Sequence, residues 1–158
     1  MKYTGPDLRR AHPQDAGLDL TLQRSVELAP GDYALVDTGI CVDIPAGHVG
    51  LVCPRSGLAA FNGITVLNAP GVIDAGYTGT VCVVLINLDR HLQVLQRGSR
   101  IAQLVIVPCL MDAAERVDTL PPSDRGADGF GSTDFARRAD VTKAFVRGMR
   151  QAMKGAKK

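Results

Sequence analysis

The stretch from Asn68 to Val81 gathers three glycines, a proline, one carboxylate, one amide and one phenol between two β-branched apolar runs. Asp74 stands between Ile73 and Ala75. Its carboxylate is therefore expected to be partly desolvated and able to act as a general base. Gly71, Gly76 and Gly79 allow tight backbone geometry, or close approach of a flat ligand where a Cβ would intrude. Alone, such a hairpin reads most simply as a turn. Four further segments change the weighing. Ala16–Leu20 puts one carboxylate, Asp19, at the start of an apolar strand. Pro54–Ala59 offers the Arg55 guanidinium, the Ser56 hydroxyl and backbone N–H groups around Gly57, the parts that cradle phosphate oxygens. Gly98–Leu104 adds Arg100 and the Gln103 amide on a strand, and residues 125–133 form a glycine-rich run with Arg125, Phe130, Ser132 and Thr133. Together these supply several phosphate-binding groups, one flat aromatic and a general base, a set suited to a nucleoside polyphosphate.

The elements that must position these groups are short strands punctuated by Gly and Pro. Runs at Ser25–Leu28, Tyr33–Ile40 followed by Cys41–Ile44, Val49–Cys53, Ile64–Leu67, Val81–Ile86, Leu92–Leu95 and Ile101–Val107 are punctuated by turn signals. With no helix-period segment between them, the pattern predicts an all-β sandwich or barrel. Ser56–Phe61 is expected as a short helical turn. At 158 residues the chain is long enough for one domain with a real core. No apolar run reaches membrane-spanning length, and the N-terminus lacks a signal-peptide apolar region. Cys41, Cys53, Cys82 and Cys109 show no C-x-x-C spacing and each lies in or beside an apolar run, so they read as buried thiols in a reducing, cytoplasmic compartment. His12, His48 and His91 share no ligand spacing, and no protein-built zinc site is expected. The net charge of +2 conceals a split: residues 1–134 carry −5 and residues 135–158 carry +7. A body of that sign argues against a broad nucleic-acid surface.

Five segments in order resemble the five motifs of the trimeric dUTP diphosphatases (dUTPases): Ala16–Leu20, Pro54–Ala59, Gly71–Gly79, Arg100–Leu104 and Arg125–Thr133. The resemblance implies a jelly-roll-like β-sandwich protomer over residues 1–120, a flexible active-site arm over 121–134, and a homotrimer whose sites are shared between subunits. It implies hydrolysis of dUTP to dUMP and pyrophosphate, with Asp74 activating the water that attacks the α-phosphorus. Asn68 and the backbone at Val72 and Ile73 resemble the uracil-reading set, and Cys82 corresponds to a position that offers backbone to the base. Tyr77 resembles the ring that packs under the deoxyribose and excludes a 2′-hydroxyl. Arg55, Ser56, Gly57 and Gln103 match phosphate contacts. Arg125, Gly131, Ser132 and Thr133 match the arm's grip on the distal phosphates, and Phe130 its stacking ring. The implied cofactor is Mg²⁺, held mainly by the triphosphate, with Asp19 near its water shell.

The chain departs from the family pattern at Ser99, where an acid usually precedes the arginine, and at Asp128 and Asp134, where glycines are usual. Two rivals are set against this reading. The related dCTP deaminases share the fold but need a glutamate on the strand after the tyrosine hairpin, and here no acid follows until Asp89. A dUTPase-like regulatory binding module is the other. Beyond the arm, Val141, Phe145, Met149 and Met153 recur every four residues among Lys143, Arg147, Arg150 and Lys154, with Asp140 a candidate N-cap. Residues 135–158 thus read as a basic amphipathic helix, with three roles open to it: a frayed solvated tail, an adhesive for nucleic acid or anionic membrane, or, the preferred reading, a helix docked on the acidic body that helps position the arm.

Overall fold

The computed structural model describes residues 1–127, so the helix expected beyond residue 135 lies outside the described residues. Ten strands and one short helix follow in order: β1 Lys2–Thr4, β2 Leu18–Thr21, β3 Val26–Leu28, β4 Tyr33–Asp43, β5 His48–Cys53, α1 Ser56–Asn62, β6 Ile64–Val66, β7 Gly71–Ile73, β8 Thr80–Asn87, β9 Gln93–Leu95 and β10 Arg100–Pro108. All lie in a unit spanning Met1–Ala113, and a second unit begins at Ala114.

Two four-stranded antiparallel sheets carry the architecture, in the orders β1-β4-β8-β6 and β2-β10-β5-β7, with β3 and β9 forming a separate ribbon. Side chains alternate between the faces of a strand, and burial follows suit. In β8, Val81, Val83, Leu85 and Asn87 are buried while the residues between them are not; in β2, Leu18 and Leu20 are buried and Asp19 is not. The inward residues of both sheets, among them Leu20, Val52, Val81, Leu85 and Leu104, form one apolar core. This is the all-β, jelly-roll-like sandwich the sequence predicts. The expected helical turn is α1, closed by Gly63 in the left-handed conformation at φ +61°, a geometry that favours glycine.

Polar groups in the core are satisfied. The Thr38 hydroxyl donates to the Val81 carbonyl at 2.6 Å where the β4–β8 register shifts. Asn87 is fully buried; its amide donates to the Leu28 and His91 carbonyls, each at 2.9 Å, and its side-chain oxygen accepts from Asp89 N–H at 2.8 Å. One side chain thus ties the end of β8 to β3 and to the loop leading to β9.

The expectation of buried thiols is corrected. Cys41, Cys53 and Cys109 are half-buried and Cys82 is exposed; all four are free. An apolar run in a sheet has an outer face as well as an inner one, and Cys82 falls on the outer side between buried Val81 and Val83. Among the described residues, no helix is long and apolar enough to cross a membrane.

Candidate active site

The second sheet gathers three of the sequence segments by register. On its inner strand β10, Gln103 lies opposite Asp19 of β2 on one side and Cys53 of β5 on the other. The chain leaving β5 therefore delivers Pro54 and Arg55 beside Asp19. The Asp19 carboxylate is 14% exposed and divides its oxygens between two guanidiniums: Oδ1 lies 3.1 Å from Arg55 Nε and Oδ2 lies 3.3 Å from Arg100 Nη1. Arg55 Nη1 also donates to the Arg100 carbonyl at 3.1 Å. Gln103 Nε2 donates to the Pro54 carbonyl at 2.9 Å, which turns its side-chain oxygen toward Gly17. A Cβ at Gly17 would lie 2.2 Å from that oxygen, so the glycine of the first motif makes room for the glutamine of the fourth. Both the Pro54 carbonyl and this use of Gly17 were missed by residue-type reasoning. The tight Ala16-Gly17 step before Leu18 and Asp19 was their only signal.

Arg55 is the N-cap of α1, with no side-chain capping bond. Ser56 and Gly57 are exposed in the first turn, where backbone N–H groups lack intrahelical acceptors. Nothing lies within 4 Å of a Cβ built on Gly57. The space before this turn is open, and the cluster offers two guanidiniums, a hydroxyl and free N–H groups to an anion.

The hairpin from Asn68 to Val81 contains an added strand, β7, which among the described residues pairs only with β5, Gly71 opposite Val52 and Ile73 opposite Gly50. Tyr77 N–H donates to the Asp74 carbonyl at 3.2 Å, closing a turn in which Gly76 has φ +90°. The Tyr77 hydroxyl donates to the Thr80 carbonyl at 3.0 Å. A Cβ at Gly79 would sit 2.6 Å from that hydroxyl, and one at Gly71 would sit 3.3 Å from Val52 Cβ and 3.5 Å from the Asn68 amide nitrogen. Two of the three hairpin glycines thus serve close approach, and Gly76 serves backbone conformation. Asp74 itself is exposed, which corrects the expected desolvation: the turn carries its carboxylate away from the chain's own core despite its apolar neighbours.

The structure groups Asp19, Arg55, Ser56, Gly57 and Gln103, and it separately groups Asn68, Val72, Ile73, Asp74 and Tyr77. It does not merge the two. Asp74 follows the end of β7 beside Gly50, whereas Arg55 follows the opposite end of β5. Cys82 lies on β8 of the other sheet, opposite Asp37, and burial followed by the Asp37 carboxylate raises its thiol pKa above the ordinary value. Asp89, the first acid after β8, is bound to His91: its Oδ1 accepts the His91 N–H and meets the ring Nδ1, each at 2.8 Å. The His91 backbone N–H, then the imidazole, hold its pKa below the ordinary value. Arg125 is exposed in the second unit, where Gly126 N–H donates to Ser123 carbonyl and hydroxyl oxygens at 3.0 and 3.1 Å. Phe130, Gly131, Ser132 and Thr133 lie outside the described residues. Among the described residues no three His, Cys, Asp or Glu side chains lie together as a metal site.

Comparison with known proteins places the sequence and the fold in one family. The dUTPase family profile matches residues 4–134. The chain is 52% identical over 134 residues to a deoxyuridine 5′-triphosphate nucleotidohydrolase of Cutibacterium acnes, covering 84% of this chain and 88% of that one. Its fold is similar to the dUTPase of Staphylococcus bacteriophage 80alpha solved with dUPNHPP, with TM-score 0.77, 30% identity, and coverage of 85% of this chain and 98% of that one. It is similar also to a variant dUTPase of phage phi11 of S. aureus, described as coordinating a structural Mg(II) ion, with TM-score 0.70, 25% identity, and coverage of 77% and 98%. With five motifs in order, a sheet order that gathers three of them and a family match over most of its length, this chain belongs to the dUTPase family.

Proposed function

We propose that this chain is a dUTP diphosphatase that converts dUTP and water to dUMP and pyrophosphate, keeping uracil out of DNA and supplying dUMP for thymidylate synthesis. The observation that carries the reading is the convergence of Asp19, Arg55, Arg100 and Gln103 at one corner of the sheet whose edge strand leads into Asp74. In the reaction, the Asp74 carboxylate takes a proton from water as its oxygen bonds to the α-phosphorus. The bond from that phosphorus to the α–β bridging oxygen breaks, and pyrophosphate leaves. Arg55, Ser56 and Gln103 hold phosphate oxygens, with Asp19 fixing the direction of Arg55. The base lies along β7, an edge strand among the described residues, where alternate backbone groups around Val72 and Ile73 face away from β5. Those groups and the Asn68 amide read uracil. Contact preference for one methyl discriminates by only about 1–3 kcal/mol, so rejection of thymine rests on the lack of spare room around Gly71. Tyr77, fixed by its bond to Thr80, supports the sugar, and Cys82 borders the base through its backbone. Arg125, Phe130, Gly131, Ser132 and Thr133, on the arm 121–134, close over the phosphates and base.

Mg²⁺ bound to the triphosphate neutralises its charge and favours one phosphate geometry. Asp19 suits that role through water, because both of its oxygens already lie against guanidiniums at 3.1 and 3.3 Å. The working form is a homotrimer in which the hairpin of one protomer faces the arginine cluster of another. The separation of Asp74 from Arg55 along β5 supports this, as does an outer sheet face carrying Tyr33 and Leu35, 67% and 69% exposed, beside Val84 and Ile86. Four free thiols suit a reducing cytoplasm. The deaminase alternative is disfavoured because β8 contains no carboxylate.

Incubation with dUTP, dCTP, dTTP or UTP and Mg²⁺, followed by product separation, tests the proposal. dUMP and pyrophosphate from dUTP alone are expected. Deamination of dCTP, or no turnover of dUTP, would overturn it.

A further inference from the structure

A cleft of about 1000 Å³ runs along β2 from Asp19 to Gln23, walled by the loop from Pro6 to His12 on one side and the turn at Arg97 and Gly98 on the other. Both walls are anchored to the same stretch of chain. Asp19 N–H donates to the Arg9 carbonyl at 2.9 Å, Leu22 N–H to the Ser99 carbonyl at 3.0 Å, and Gly98 N–H to the Leu22 carbonyl at 2.8 Å. Within the first wall, His12 N–H donates to Asp15 Oδ2 at 2.9 Å and Arg10 Nε donates to the Asp15 carbonyl at 2.5 Å. Backbone bonds thus tie both walls to β2, and the Arg10 and Asp15 side chains brace the first wall.

Its lining is cationic. Arg9, Arg10, Arg97 and Arg100 face Asp7 and Asp19, an excess of positive charge before any contribution from His12. Arg9 has Asp7 at 3.2 Å and Arg100 has Asp19 at 3.3 Å, whereas Arg10 and Arg97 have no ion-pair partner among the described residues. Guanidinium groups bind phosphate oxygens as planar, two-pronged donors. Among the described residues the His12 imidazole is the one aromatic ring in the lining, so the cleft has little to stack a nucleobase on. A ligand that is all charge and no flat apolar surface suits it.

We propose that this cleft is a second anion site, adjoining the nucleotide site at Asp19 and Arg100 and extending away from it to Arg10 and Arg97, that takes a short inorganic polyphosphate, pyrophosphate being the simplest. Charge and shape alone select that class. On the proposed function, pyrophosphate is also the product released nearby, since the cleft ends at Asp19 and Arg100, the groups that flank Arg55.

The test is calorimetric titration of the full-length protein with pyrophosphate at fixed Mg²⁺, with and without saturating dUPNHPP. Binding is expected to persist when dUPNHPP is present. It is expected to weaken at least about tenfold in the Arg10→Ala/Arg97→Ala double variant, which removes two charge-assisted contacts, and less in the corresponding Lys variant. Turnover of dUTP in pyrophosphate-free buffer should stay unchanged in both variants. Loss of pyrophosphate binding on adding dUPNHPP, or undiminished affinity in the double variant, would overturn the proposal. So would a single-stranded oligonucleotide that binds more tightly than pyrophosphate and is lost in the same variant. If the double variant fails to fold, Arg97→Ala alone is judged by the same criteria. If the protein proves not to bind dUPNHPP, the nucleotide reading fails, and the variant affinities still decide the anion site.

Discussion

Gly17→Ala isolates the contact on which the placement of Gln103, a phosphate ligand on the proposed function, depends. Gly17 does not occupy the left-handed region, so its backbone accepts alanine and the whole penalty is steric. The new Cβ would lie 2.2 Å from Gln103 Oε1 and 2.9 Å from Gln103 Cβ. The amide must swing away, and its 2.9 Å bond to the Pro54 carbonyl is lost. Overpacking costs about 1–3 kcal/mol and a lost hydrogen bond about 0.5–1.5 kcal/mol, so a destabilisation of about 2–4 kcal/mol is expected. In a Gln103→Ala background the oxygen is absent and only the Cβ contact remains. The cost of Gly17→Ala should then fall by at least about 1 kcal/mol, within the range of coupling between touching residues. Urea denaturation of the four proteins at one fixed protein concentration measures the cycle. Strict additivity, or a Gly17→Ala cost below about 0.5 kcal/mol, would refute the account of why this motif carries glycine.

Asp74→Asn is expected to leave folding and dUTP binding intact while lowering kcat about 10²–10⁴-fold, and turnover within a few fold of wild type would remove Asp74 from the base role. Tyr77→Ala should raise UTP hydrolysis relative to dUTP, read from paired kcat/KM values; an unchanged ratio would reduce the ring to packing. Truncation after Asp134 should raise KM for dUTP with the oligomer unchanged by light scattering. Unaltered kinetics, with loss of salt-sensitive DNA or vesicle binding, would assign the tail to adhesion instead.

Strand positions were legible because alternation and turn residues are local. Val81, Val83 and Leu85 announce an inner face wherever the strand pairs, and Gly63 announces the end of α1. The same alternation, taken one step further, places Cys82 outside; judging it by the average character of its run buried it wrongly. Asp74 failed for a related reason. Its flanks are apolar, but the bond from Tyr77 N–H to its carbonyl bends the chain so that flanks and carboxylate part. The chemistry-bearing residues were legible by type and by the resemblance they carry. Their mutual arrangement was not, since the Asp19, Arg55 and Arg100 triangle exists only once β10 is placed between β2 and β5. No spacing along the chain encodes that order.

The edge strand β7 has a consequence for self-association. Exposed sheet edges invite other chains to add strands, and proteins commonly keep such edges short or interrupted. This one spans only Gly71–Ile73. It follows Pro70, which has no N–H to give, and precedes the charged Asp74. Three residues present enough backbone for the rim of a small heterocycle and too little to seed a growing ladder. The features that suit the hairpin to a base on the proposed function therefore also guard against fibril-like stacking, and lengthening β7 by replacing Pro70 or Asp74 with β-branched residues would put solubility at risk.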